Sequence, residues 1–251
     1  MKNSYIYKRL VLVSTFIFFS FSIYGIINVI QKQEKTIATN ALPITNKVVV
    51  IDAGHGKPDS GAEGFNGTTE QAINLEITLK LQKLIEQSGG KVILTRSDEN
   101  GIYSNNVKGI RQLKVSDAKN RVEIGNNSDA DIFVSIHLNK FSESSVYNGW
   151  QVFYQKENED SKVLADNIQE NLNKNIEKEN NRKTMSISNI YVMDNVKVPS
   201  VIVECGFLSN PEECEALKTE AYQNKIVWGI YLGLQEYFLN KGETNGSAPV
   251  R

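Results

Sequence analysis

Four stretches of this chain are apolar on consecutive residues instead of alternate ones: KVVVIDA at 47–53, KVILT at 91–95, DIFVSIHL at 131–138 and SVIVE at 200–204. A strand with one face in water alternates, whereas a strand covered on both faces has no reason to. Each run is rich in Val and Ile and too short for a helix. Runs of this kind need helices on both sides, and the sequence between them supplies apolar positions at helical spacing. Ile73, Ile77, Leu81, Leu84 and Ile85 make one such face. Leu164, Ile168, Leu172 and Ile176 make a second; Val227, Ile230, Tyr231, Leu234 and Phe238 make a third. Residues 149–154 and 189–193 are shorter and mixed, as edge or antiparallel strands would be. The alternation predicts an α/β fold around a mostly parallel sheet.

Ahead of the first strand, Lys2, Lys8 and Arg9 precede an uncharged apolar run over residues 10–30, about the length that crosses a bilayer. The flank at 31–35 is less positive, so the charge bias keeps the N-terminus cytoplasmic and exports the rest. The small residues at 38–41 lie well beyond the apolar core. Residues 1–30 therefore read as a signal-anchor, with a cleaved signal peptide as the alternative. Residues 31–45 read as a linker, 46–240 as one domain and 241–251 as a disordered tail. With 28 basic against 29 acidic residues and no basic stripe, nucleic acid is not an expected substrate. The two cysteines, Cys205 and Cys214, read as small apolar core residues.

Open α/β sheets gather their functional groups at the carboxyl ends of strands. The first run ends in Asp52-Ala53-Gly54-His55-Gly56, the third in Ser135-Ile136-His137-Leu138-Asn139, the last in Val203-Glu204-Cys205-Gly206. The flanking glycines of the first let the backbone turn and project the imidazole. A lone His at a strand end is ordinarily a hydrogen-bonded structural residue. Here the chain's only two, His55 and His137, are expected at the same edge, which points to a metal. Zinc accepts imidazole nitrogen and carboxylate oxygen, and brings the pKa of water it holds to about 7. A further carboxylate can take that proton and return it to a leaving group. Glu204 closes a buried apolar run, a costly place for a carboxylate without a partner or a task. Spacing leaves the third ligand open among Asp52, Asp59, Glu63 and Glu70. Thr68 and Gln71 read as a capping box that puts Glu70 in the first turn of the first helix, where it could equally complement the helix dipole.

VIDAGHGKPDSGAEG (50–64), TEQAINL (69–75), ADIFVSIHLN (130–139) and PSVIVECGFLSN (199–210) together resemble, in this order, the zinc-dependent N-acetylmuramoyl-L-alanine amidases of bacterial cell walls. The likeness spans residues 46–240. It implies a single three-layer domain, a twisted sheet of about six strands flanked by helices. It also implies a Zn2+ held by His55, Glu70 and His137, with Glu204 as the catalytic acid–base. Asn139 is then a substrate contact. Arg96 and Arg121 occupy family positions, with a structural ion pair an equal reading for each. The polar stretch 97–116 is long for a plain connection and is expected to wall the substrate groove.

Two departures narrow the resemblance. After Asn139 the chain reaches the next strand by residue 149, leaving no room for the long regulatory helix of some members, and no wall-binding repeats appear. The chain is most similar to the germination-specific amidases of endospore formers. That implies peptidoglycan of the spore cortex as substrate, the space around the forespore as location, an accessory exported protein, and a downstream deacetylase that completes muramic-δ-lactam. A vegetative cell-wall amidase and a non-catalytic peptidoglycan-binding module are the alternatives. A Cys–His hydrolase conflicts with strand alternation, which turns Cys205 away from the Glu204 face. The first motif also lacks P-loop spacing. Export is tested by a reporter fused after Arg251. It should be active only outside the cytoplasmic membrane, and activity in the cytoplasm would overturn the reading of residues 10–30.

Overall fold

The computed structural model describes residue 12, residues 15–29 and residues 41–246, side chains of 243–246 excepted. The chain divides into two units, Met1–Leu42 and Pro43–Arg251. In the first, residues 15–29 are helical and their apolar side chains, Phe16, Phe18 and Phe21 among them, are exposed. Ser20 and Ser22 return their hydroxyls to the carbonyls of Phe16 and Phe18, as hydroxyls do in apolar helices. No helix among the described residues is long and apolar enough to cross a membrane. Much of the expected anchor and most of the linker (residues 1–11, 13, 14 and 30–40) lie outside the described residues.

The second unit is built on six strands: β1 Val48–Ala53, β2 Lys91–Leu94, β3 Ile132–Asn139, β4 Gln151–Gln155, β5 Met185–Ile187 and β6 Ser200–Phe207. They form one sheet in the order β2-β1-β3-β6-β4-β5, parallel throughout except where β4 meets β6. The helices are α1 Glu70–Gln87, α2 Ile110–Asn126, α3 Glu159–Asn175, α4 Tyr191–Asn195, α5 Pro211–Leu217 and α6 Glu220–Gly246. Period-two alternation divides the strand residues between two layers. Val49, Ile51, Val134, Ile136, Val201, Val203 and Cys205 join the large core with α1, α3 and α6. Val50 and Phe133 face a smaller cluster with Val196, Val122 and Val192, under α2 and α4. The expected faces of α3 and α6 are buried throughout; on α1, Leu84 is only partly covered. Each large apolar side chain so buried contributes roughly 1.5–3 kcal/mol.

Three local expectations are corrected. Residues 189–193, expected as an edge strand, instead contain a positive-φ Asn189 and enter α4 at Tyr191. The edge strand is β5, whose Met185 and Ser186 are exposed. A short apolar run is ambiguous by periodicity, and here burial of Met193 beneath a helical turn decides it. The helix expected after Thr68 begins one residue later: Thr69 is the N-cap with no side-chain cap, and Thr68 Oγ1 bonds Asn66 Oδ1 at 2.6 Å. No capping box forms, although Glu70 does open α1. At the far end α6 runs to Gly246, so the first six residues of the expected tail are helical; residues 247–251 lie outside the described ones.

Helix α2 was not foreseen. Its buried residues are Ser116, Arg121 and Gly125, so it carries no apolar stripe to read. Polar contacts hold it instead. Arg121 ion-pairs with the buried Asp52 of β1 and with Asp117 one turn back. Asp52 also accepts from Thr95 Oγ1 at 2.7 Å and Ser135 Oγ at 2.5 Å, joining β1, β3 and the end of β2. Burial opposes ionisation of Asp52, but Arg121 and these hydroxyls hold its carboxyl below the usual range. Arg121→Met strands that buried carboxylate and should lower the unfolding free energy by about 3–5 kcal/mol in urea titrations. A loss below about 1 kcal/mol would contradict this account of α2.

Candidate active site

Asp52, Ser135, His137, Ile202 and Glu204 alternate with the large-core residues and so share the α2 side of the sheet. Strand β1 leaves the sheet beyond Ala53, after the Gly54 amide has bonded Ile136 O at 3.0 Å. The sharp turn is made by His55 itself, with φ 62°, together with Gly56, so Gly54 has a different task from the one expected. A Cβ on Gly54 would stand 2.4 Å from the His137 ring; the missing side chain lets that imidazole lie against the strand. Arg96 and Arg121 secure the turn by donating to its carbonyls. Arg96 reaches Ala53 O at 2.8 Å and Gly54 O at 3.0 Å, and Arg121 reaches Ala53 O at 2.7 Å and His55 O at 2.5 Å. Both are structural, which was the ion-pair alternative for Arg121.

Glu70 enters from the opposite layer, at the first residue of α1. Its Oε1 meets His137 Nδ1 at 2.9 Å and the Leu138 amide at 3.1 Å. Its Oε2 meets His55 Nε2 at 3.2 Å and accepts from the Ala62 amide at 2.7 Å. Burial alone would raise this carboxyl; the hydrogen bonds from His137 and His55 outweigh it and hold it well below the carboxylate range. His55 turns its other nitrogen, Nδ1, to Asp59 Oδ2 at 2.9 Å. Burial pulls His55 down, but the bonds to Asp59 and Glu70 prevail and push it to about 9.

One ligand atom from each of His55, Glu70 and His137 lies within 4.8 Å of the others. Two imidazole nitrogens and a carboxylate oxygen form a donor set that suits zinc. Gly61 shows how tightly the cradle is drawn: at φ +68° an added Cβ would sit 2.5 Å from Glu70 Oε2 and 2.7 Å from the His55 ring. The residues present fit the ion. Of the other candidates for third ligand, Asp52 is spent on Arg121, Glu63 on Ser60, and Asp59 lies behind His55.

Glu204 stands in β6 directly across from His137. Its Oε2 is buried without a hydrogen-bond partner, and burial above all raises the carboxyl to about 7. A carboxyl poised there can both accept and return a proton at neutral pH. Cys205, next in sequence, is fully buried in the large core and burial pushes its thiol well up, which removes it as a nucleophile. Cys214 is likewise free and buried.

A cleft of about 190 Å³ opens beside the two histidines. Away from the histidines it is lined by Tyr103, Ile110, Leu113 and Lys114 and by Ile190 and Val192. Part of the stretch expected to wall a groove does so, but from a helix. The lysine and α2's apolar residues were not anticipated; a 17-residue helix with three buried residues leaves no periodic trace. Asn139 ends β3 opposite Phe207 and gives its carbonyl to the Leu208 amide at 2.9 Å; it does not line this cleft.

Two imidazoles and the Glu204 carboxylate at the C-terminal edge of a mostly parallel sheet, joined there by Glu70 from α1, define a hydrolase site able to hold a metal ion. Residues 49–236 match the N-acetylmuramoyl-L-alanine amidase family, and the chain belongs to it. It is an amidase acting on peptidoglycan. Among its relatives, the germination-specific N-acetylmuramoyl-L-alanine amidase of Bacillus subtilis (strain 168) is 36% identical over 203 residues, covering 81% of this chain and 84% of that one. The CwlD amidase from Clostridioides difficile, solved in complex with the GerS lipoprotein, is 50% identical with a TM-score of 0.75, covering 78% of this chain and all (100%) of that one. An N-acetylmuramoyl-L-alanine amidase from Clostridium difficile 630 is 31% identical with a TM-score of 0.69, covering 79% and 100%.

The close approach at Gly54 generates a test. Gly54→Ala should displace the His137 ring and lower zinc content well below that of the wild type by elemental analysis, with the fold retained by circular dichroism. Unchanged zinc would mean that His137 has another place to go.

Proposed function

We propose that this chain is a zinc-dependent amidase that cleaves the bond between the lactyl group of N-acetylmuramic acid and L-alanine of the stem peptide, with spore-cortex peptidoglycan as its substrate. The observation that carries the chemistry is the convergence of His55, Glu70 and His137 within 4.8 Å of one another, with the unpartnered carboxyl of Glu204 on the neighbouring strand. His55, Glu70 and His137 would hold the ion, which supplies Lewis acidity for the amide carbonyl and acidifies water near neutral pH. Glu204 takes the proton of the attacking water and passes it to the amine of L-alanine as the C–N bond breaks. Its burial keeps it near pH 7, where both halves of that exchange are accessible. The cleft beside the histidines, with Tyr103, Ile110, Leu113, Ile190 and Val192 in its lining, receives the chain beyond the scissile bond and limits water there.

Likeness to a germination-specific amidase and to an amidase solved with a lipoprotein supports the cortex assignment and an accessory exported lipoprotein as partner. The product, a muramic acid freed of its peptide, is what a deacetylase needs to complete muramic-δ-lactam. The enzyme then works outside the cytoplasmic membrane, in the space around the forespore, held by its N-terminal segment or released from it. Muropeptide mass spectrometry of spores lacking this gene should find no muramic-δ-lactam; normal lactam with altered vegetative wall would favour a growth or separation amidase.

The two glutamates have different tasks and separate on mutation. Glu70→Ala should lose both zinc and activity, because only two protein ligands remain. Glu204→Gln should keep most of its zinc while release of L-alanine-terminated peptide falls about a hundredfold or more, since an amide cannot take up the proton. An empty site in Glu204→Gln beside a loaded one in Glu70→Ala would exchange the two roles.

A further inference from the structure

We infer that Asp59 and Lys114 are positioning residues for the metal site: a carboxylate pinned between α2 and the β1 turn fixes which nitrogen His55 offers and the direction in which it offers it. The inference rests on the proposed metal site. His55 has two ring nitrogens, and the structure engages both, Nε2 toward Glu70 at 3.2 Å and Nδ1 toward Asp59 Oδ2 at 2.9 Å. With Nδ1 committed to Asp59, Nε2 is the nitrogen left facing Glu70, and it becomes a ligand once an ion displaces its proton.

Asp59 is itself held from its other oxygen. Oδ1 receives Lys114 Nζ at 2.8 Å and the Gly61 amide at 3.2 Å. Both carboxylate oxygens are thus engaged, which opposes a swing to solvent or a rotation into the cluster as a competing ligand. Lys114 comes from α2, the helix that also walls the cleft, so the ion pair ties that wall to the imidazole. Glu70 restrains His137 as well as His55, but the outer support from Asp59 belongs to His55 alone among the described contacts.

The experiment measures the zinc dissociation constant of full-length protein by competition with a chromophoric chelator, starting from metal-stripped samples whose thermal unfolding is recorded. Asp59→Ala should weaken zinc about 10–100-fold, and Asp59→Asn, which keeps an acceptor oxygen but no charge, should weaken it less. Equal losses in the two would assign the effect to charge and overturn the positioning role. Lys114→Met should weaken zinc by about two- to fivefold and Lys114→Arg should restore it. Removing a positive charge near a cation site would by itself tighten binding, so tighter zinc in Lys114→Met overturns the pinning of Asp59. Should Asp59→Ala not fold, the Asp59→Asn and Lys114 variants still decide the question. His55→Ala separates the two levels of argument. If it binds zinc normally, the metal site itself fails; if it loses zinc while the Asp59 variants match wild type, only this inference fails.

Discussion

Two buried guanidiniums solve the problem that most shapes this molecule: where the backbone of β1 finds partners once it leaves the sheet. The carbonyls of Ala53, Gly54 and His55 lie at that exit, and a buried carbonyl without a donor costs about 1–3 kcal/mol. Arg96 and Arg121 supply the donors, five-pronged and rigid enough to serve several oxygens each. Two cations so close to each other repel, and burial together with the Arg121 charge draws Arg96 down to about 10. Asp52 and Asp117 supply the compensating charge for Arg121. The turn that presents His55 in a left-handed conformation is thus held by charge-assisted bonds, which are stronger and more directional than neutral ones.

That arrangement explains why a helix with almost no apolar face stays in place. Helix α2 is anchored by Arg121 into the sheet, by Ser116 and Asn120 to the loop around Ser104, and by Asp117 to the Ile102 amide. Packing is shallow on this side; Val50, Phe133 and Val196 form its small core while the large core lies across the sheet. The unequal layers suit the chemistry. A thick apolar layer holds the strands in register, and the thin polar one leaves a cleft open along the strand ends.

The proposed metal cradle draws on both layers. His137 and Glu204 arrive on paired strands, whose positions the register sets, and His55 on the turn that follows β1. Glu70 arrives at the first turn of α1 and is clamped by two backbone amides before it meets either imidazole. Rigid elements under each donor mean that little side-chain freedom remains to be lost when an ion binds, which favours affinity.

The strands β1, β3 and β6 were legible because burial on both faces leaves nearly unbroken apolar runs within 48–53, 132–138 and 200–204, and the helices α1, α3 and α6 because burial of one face leaves apolar residues at helical spacing over 73–85, 164–176 and 227–238. The convergence of His55, His137 and Glu204 was legible too, since parallel strands must end on one edge. That Glu70, and not Asp52, Asp59 or Glu63, meets both imidazoles was not, because four carboxylates near one turn differ only in three-dimensional partners; resemblance to a family pointed to Glu70, and the hydrogen bonds show where each of the others is engaged. Helix α2 and the short β5 escaped for a related reason. One is held by ion pairs and the other by backbone pairing at an exposed edge, and neither leaves a pattern in hydrophobicity. Apolar periodicity is local along the chain and can be read from it, whereas the partner of a buried charge is chosen across tens of residues and exists only once the chain has folded.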